Sequence, residues 1–146
     1  MRSRNHASSR WVFLIPAVAA LLLGAGCREV PTEEAVSEPY RLETVEGSDI
    51  SRVILEASAA ERLAVQTASV ERDGNRLIVP AAAVLYDPQG GEWVYTSPEP
   101  LVFVRHPITV DRFERDVAVL SDGPPVGTEV VEVGVSELYG AEFGVG

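Results

Sequence analysis

One thiol, two histidines and a scatter of carboxylates are the groups in this 146-residue chain that could do chemistry. Cys27 is the only cysteine, so no disulfide can form within the chain. His106 stands beside Pro107 in an alternating apolar run, which is the pattern of a strand histidine rather than of a general base. A zinc site built from His and Cys lacks its ligands. A serine hydrolase needs its nucleophile on a Gly-x-Ser-x-Gly turn, and the sequence contains none. Glu33 and Glu34 fall in a polar stretch and read as solvated carboxylates. Asp87 and Asp122 precede turns, where an Asp side chain bonds the backbone just after it. Neither stands in a calcium-loop pattern, and there is no phosphate-binding or dinucleotide glycine motif. The chain is therefore expected to be non-enzymatic, with no cofactor and no metal.

Cys27 is notable for its position. Arg2, Arg4 and Arg10 precede an apolar stretch from Trp11 to Leu23, and Gly24, Ala25 and Gly26 lead into the cysteine. A positive start, an apolar centre and small residues make a secretory signal, expected over residues 1–26. His6 would leave with it. The uncharged run from Trp11 to Cys27 has 17 residues and contains Pro16, short of the roughly 20 that a spanning helix needs. The run into Cys27 resembles bacterial lipoprotein signals, Leu-small-small-Cys, with Leu23 one residue early. That resemblance implies a diacylglyceryl thioether on the Cys27 thiol, and so a membrane tether on the extracytoplasmic side of the cell membrane. The plainer alternative is a signal cut nearby, with Cys27 incidental.

Residues 27–47 are expected to be the lipidated cysteine and a flexible acidic linker, with Pro31 and Pro39 breaking any helix. All 12 basic residues are Arg, and the formal net charge is −10. Without residues 1–26, 9 Arg stand against 22 acids, a net of −13. Such a body repels nucleic acid and anionic lipid, so no nucleic-acid partner is expected.

From residue 48 to 146 the pattern is mainly β, in one domain. Residues 50–56 alternate around Val53 and Leu55 as a strand, and residues 57–65 read as a short helix capped by Glu56 or Ser58, with Ala60, Leu63 and Ala64 on one face. Residues 65–72 read as one strand, and Asp73-Gly74-Asn75 as a tight turn into the next. Pro80 marks an edge or a change of strand. Later strands cover residues 92–97, 101–113, 115–121 and 128–134, with a helical turn and a Gly-punctuated tail to finish. Trp93, Tyr95, Phe103 and Phe113 fall on strands at alternating positions and are expected in the core. Strands at such spacing predict a small antiparallel β-barrel or sandwich with one short helix.

Three segments resemble the periplasmic adaptor subunits, or membrane fusion proteins, of RND-type efflux pumps. They are Val53 to Val70, Leu77 to Thr96 (with its Val-Pro-Ala-Ala-Ala-Val) and Pro107 to Gly146. In that family the first two are separated by a lipoyl-like domain, a helical hairpin and a β-barrel. Here Glu71 to Leu77 stands in their place. The resemblance implies a free-standing membrane-proximal domain, contacting an inner-membrane transporter through its loops. The partner-binding candidates are Asp87, Pro88 and Gln89; Ser97, Pro98 and Glu99; and Asp122, Pro124 and Pro125. Proline stiffens such loops and lowers the ordering cost of binding. The net negative charge favours a basic partner surface. Two other readings are an extracytoplasmic small-molecule carrier or sensor with a cavity between strands, and a non-functional remnant of a full adaptor.

Overall fold

The computed structural model describes residues 38–145, so the expected signal and Cys27 lie outside the described residues. Among the described residues, eleven strands and two α-helices follow one another. β1 (Tyr40–Thr44), β2 (Ser51–Leu55), α1 (Ala57–Arg62) and β3 (Gln66–Ser69) come first. β4 (Glu71–Asp73), β5 (Arg76–Pro80), β6 (Leu85–Tyr86) and β7 (Glu92–Glu99) follow. β8 (Val102–Pro107), β9 (Thr109–Glu114), β10 (Val117–Asp122), β11 (Glu129–Val133) and α2 (Val135–Phe143) complete the domain.

The strands form two antiparallel sheets. The larger has the order β1-β2-β8-β7-β11-β3, with β6 also on β7; the smaller has the order β4-β5-β10-β9. The sheets do not close into a barrel, and the fold is a mainly β sandwich. The chain passes between the sheets four times, and two of the passages turn on a single residue. β3 leads into β4 at Val70, and β8 leads into β9 at Ile108. Both corner residues are buried in the core between the sheets, with Val79, Val94, Ala118, Leu120 and Val130. A strand that turns such a corner puts a residue where both sheets can bury it. The single strands expected over 65–72 and 101–113 are therefore each split in two. Pro80 ends β5 just before the chain crosses back, through a 3-10 turn at Ala81–Ala83, to β6. It marks a change of strand.

The larger sheet is covered on both faces. In β7, the neighbours Val94 and Tyr95 are both fully buried on opposite sides, and Val130 and Val131 repeat this in β11. One face meets the smaller sheet. The other carries Val53, Leu55, Tyr95, Phe103 and Val131 beneath Val135 and Leu138 of α2, with Ala60 and Leu63 alongside. The expected helical turn near the C-terminus is thus a full helix that completes a second core. Its inward residues Val135, Leu138 and Glu142 follow helical spacing.

Other expectations need correction. The acidic linker does not run to residue 47, because Tyr40–Thr44 pairs with β2 in unbroken register, Tyr40 opposite Leu55 and Thr44 opposite Ser51. Glu56 precedes α1 without a side-chain cap, and Ala64 lies beyond the helix at a φ of 50° and is exposed. Tyr95 and Phe103 are core, but Trp93 is half-buried and Phe113 is 49% exposed. The turn at Gly74–Asn75 forms as expected, with Asp73 opposite Arg76 and Gly74 at a φ of 57°. Positive φ at the first of two turn residues suits glycine and the twist of a hairpin.

Leu138 tests the second core. Leu138→Ala should cost about 2–5 kcal/mol, whereas Phe113→Ala on the exposed strand β9 should change stability by less than about 0.5 kcal/mol. Urea unfolding of both variants followed by circular dichroism checks the contrast.

Candidate functional site

The sequence-derived loop candidates begin at Asp87. Its Oδ1 accepts hydrogen bonds from the backbone N–H of Gln89 at 2.9 Å and of Gly91 at 2.7 Å. Its Oδ2 accepts from Trp93 Nε1 at 2.8 Å. These donors hold the Asp87 carboxyl below the usual carboxylate range, the Gly91 N–H most and the Trp93 N–H next. The loop is therefore fixed by one side chain, while Pro88 and Gln89 stay exposed.

From Trp93 the contacts continue inward. The Arg105 guanidinium lies 4.5 Å from the centroid of the Trp93 ring and 4.8 Å from that of Phe143. Arg105 Nε donates to Glu142 Oε2 at 2.8 Å, and the Tyr95 hydroxyl donates to the same oxygen at 2.6 Å. Glu142 Oε1 accepts from the backbone N–H of Ser51 at 3.3 Å. Arg105 and Glu142 are both 8% exposed. Burial, and then the bond to Glu142, push the Tyr95 hydroxyl well above the ordinary tyrosine value. Sequence reasoning passed over Arg105 and Glu142. The available signal was parity: Arg105 alternates with inward Phe103, and Glu142 lies one turn beyond inward Leu138. A charge at an inward position needs a partner, and these two supply each other. The arrangement orients a helix on a sheet and leaves the loop at Asp87 stiff; it presents no nucleophile to solvent.

The other candidates divide. Ser97, Pro98 and Glu99 are not a turn but the end of β7, where the register against β8 shifts between Thr96 and Glu99. The turn itself is Pro100–Leu101, with Leu101 at a φ of 65°. Asp122 ends β10 and is exposed, as is Pro125. Pro124 is fully buried, so it is part of the packing and not a contact for a partner. The structure does not gather these residues at one spot. The Asp87–Gly91 loop precedes β7 and Pro100 follows it, so the two lie about 25 Å apart at strand rise. His106 is half-buried, with Nδ1 2.8 Å from the Pro107 carbonyl oxygen. Among the described residues, no three His, Cys, Asp or Glu side chains converge on a metal position, and no helix is long and apolar enough to cross a membrane.

A groove of about 580 Å³ lies between α1, α2 and β1, with Tyr40, Leu55, Ala59, Leu63 and Ala141 among its walls. Sequence patterning could not reveal it, because its walls come from three separated segments. No family model matches the chain, and no curated protein or solved structure matches it.

Two expectations test the Arg105 cluster. Glu142→Gln should destabilise the domain by about 3–5 kcal/mol, because Arg105 is left buried without its anion, while Arg105→Met with Glu142→Leu should cost less than either single change. Denaturant unfolding of the double-mutant cycle measures this. The raised Tyr95 value means that its share of stability is fully present below the unfolded tyrosine value near pH 10 and is lost above it. In an alkaline absorbance titration Tyr95 should therefore ionise only as the domain unfolds, and Tyr95→Phe should remove that step.

Proposed function

We propose that the chain is a membrane-tethered extracytoplasmic interaction module of adaptor type, docking on a membrane transporter of the efflux class. The observation that supports this reading is the closure at Gly74–Asn75. The resemblance to membrane fusion proteins places three further domains between Glu71 and Leu77. In this chain a two-residue turn bridges the gap, and the segments on either side build one sheet, β2 against β8 and β3 against β11. A membrane-proximal domain whose excised middle is sealed by a hairpin would have this form. If Cys27 carries the lipid, the tether runs only from there to β1 at Tyr40. Its 12 intervening residues hold the domain within about 45 Å of the bilayer. At that range weak contacts suffice, since the tether supplies the local concentration. The domain from residue 38 onward carries 8 Arg against 19 acids, a net of −11, which favours a basic docking surface. Pro88, Gln89, Pro98, Glu99, Asp122 and Pro125 are the exposed contact residues of this reading.

The groove beside Tyr40 favours a second reading, a carrier of an apolar small molecule. Its volume lies in the range of ligand sites, roughly 300–1,000 Å³.

Cys27→Ser should release the chain from membranes and abolish labelling by a palmitate analogue. Photo-crosslinkers at Gln89 and Glu99 of the tethered chain should capture a polytopic membrane protein, less so as salt is raised. No label on the wild-type chain with unchanged membrane retention would end the lipoprotein reading. Absence of any captured membrane protein, together with a large rise in melting temperature on adding a long-chain fatty acid, would give the carrier reading the field.

A further inference from the structure

β1 ends the larger sheet with its outer backbone edge unpaired among the described residues. Exposed edges are usually blunted by shortness, bulges, proline or charged side chains. β6 has 2 residues, β4 has 3, β3 has 4 with a register shift against β11, and β9 is bulged against β10. β1 has 5 residues, no proline and no register shift, and its charges are one Arg and one Glu, which a second copy running antiparallel can match.

The backbone direction of β1 is fixed by its pairing. Just beyond the ends of its ladder with β2, Glu56 N–H donates to the Pro39 carbonyl at 3.0 Å, and Val45 N–H to the Ile50 carbonyl at 3.1 Å. Hydrogen-bonded pairs alternate along an antiparallel ladder, so Arg41 and Glu43 also turn their N–H and C=O groups toward β2. Tyr40, Leu42 and Thr44 turn theirs outward. This outward set is symmetric about Leu42.

We propose that β1 is a self-pairing edge, and that two copies of this chain join antiparallel across a two-fold axis at Leu42. Leu42 then faces Leu42 of the second copy, and Tyr40 faces its Thr44. All three outward residues of each strand find donors and acceptors. The side chains fit the same register. Arg41 and Glu43 share one face of β1, where their charges lie 3.5 Å apart. In the pair each Arg41 stands opposite Glu43 of the other copy. Glu43 already faces Arg52 across its own ladder, so charges alternate in sign across the junction. Centring on Arg41 or Glu43 instead would oppose like charges and aim inward-turned backbone at the partner. On the other face, Leu42 is 43% exposed and lies across from buried Val53. Pairing would cover two such leucines and make one sheet of both copies. The contact is small, so the dimer is weak and depends on local concentration.

Disulfide trapping of the full chain in expressing cells tests this. Facing Leu42 Cα atoms lie about 5.5 Å apart in a hydrogen-bonded pair, within disulfide reach. Arg41 to Arg41, or Glu43 to Glu43, would be about 8 Å apart, outside it. Under mild oxidant, Leu42→Cys should give a dimer about tenfold above Arg41→Cys or Glu43→Cys alone. Mass spectrometry should identify the bond as position 42 to position 42, distinct from any bond through Cys27. Co-expressed Arg41→Cys and Glu43→Cys chains should join to each other. Adding Arg41→Glu to Leu42→Cys should suppress the dimer, because two carboxylates would then face each other across the junction. Equal trapping at all three positions, no bond at 42, no suppression by Arg41→Glu, or capture of a different protein at 42 would each overturn the proposal.

Discussion

The larger sheet has no solvent face at its centre, and the rest of the domain follows from that. β7 buries Val94 on one side and Tyr95 on the other; β11 does the same with Val130 and Val131. A sheet of this kind needs two covers. The smaller sheet supplies one, reached through the corners at Val70 and Ile108. Helix α2 supplies the other, with Leu138 at its centre. Hydrophobic cover alone would let a nine-residue helix settle in several positions. The Glu142 carboxylate removes that freedom, because it must meet Arg105, Tyr95 and the Ser51 N–H together. Breaking such a buried pair costs far more than the pair contributes net, so any placement of α2 that parted Glu142 from Arg105 would be disfavoured.

Much of this was legible in the sequence where one residue dictates local geometry. Gly74 set the hairpin, Pro80 set a change of strand, and the alternation around Val53 and Leu55 set β2. What stayed hidden were decisions made by distant partners. Nothing local in residues 66–73 or 102–114 shows that each run bends into a second sheet at a buried residue. Tyr40–Thr44 reads as polar linker because only one side of an edge strand is packed. The loop candidates fared unevenly for the same reason. Asp87 does bond its own turn, but Ser97–Glu99 extends a strand and Pro124 is buried, since proline signals a bend without saying which side faces water.

The cluster at Arg105 also links the interior to the surface. Asp87 fixes its loop through Trp93, Trp93 stacks on Arg105, and Arg105 is held by Glu142. A loop anchored in this way has little shape left to lose on binding, which suits the docking role proposed for it. The edge at β1 lies in the same sheet but on its far side, beyond β8 and β2. A partner at the loop and a second copy at the edge would not compete for the same backbone.

The wiring of the larger sheet also bears on how fast the domain is made. β2 waits for β8 about fifty residues later, and β3 for β11 about sixty residues later. The hairpins β4-β5, β7-β8 and β9-β10 need no such wait, because short turns connect them. Folding should therefore begin with isolated hairpins and finish with slow long-range closure, in milliseconds to seconds rather than microseconds. During that interval only the local hairpins are formed, and the edges of β2, β3, β8 and β11 stay open until their distant partners arrive.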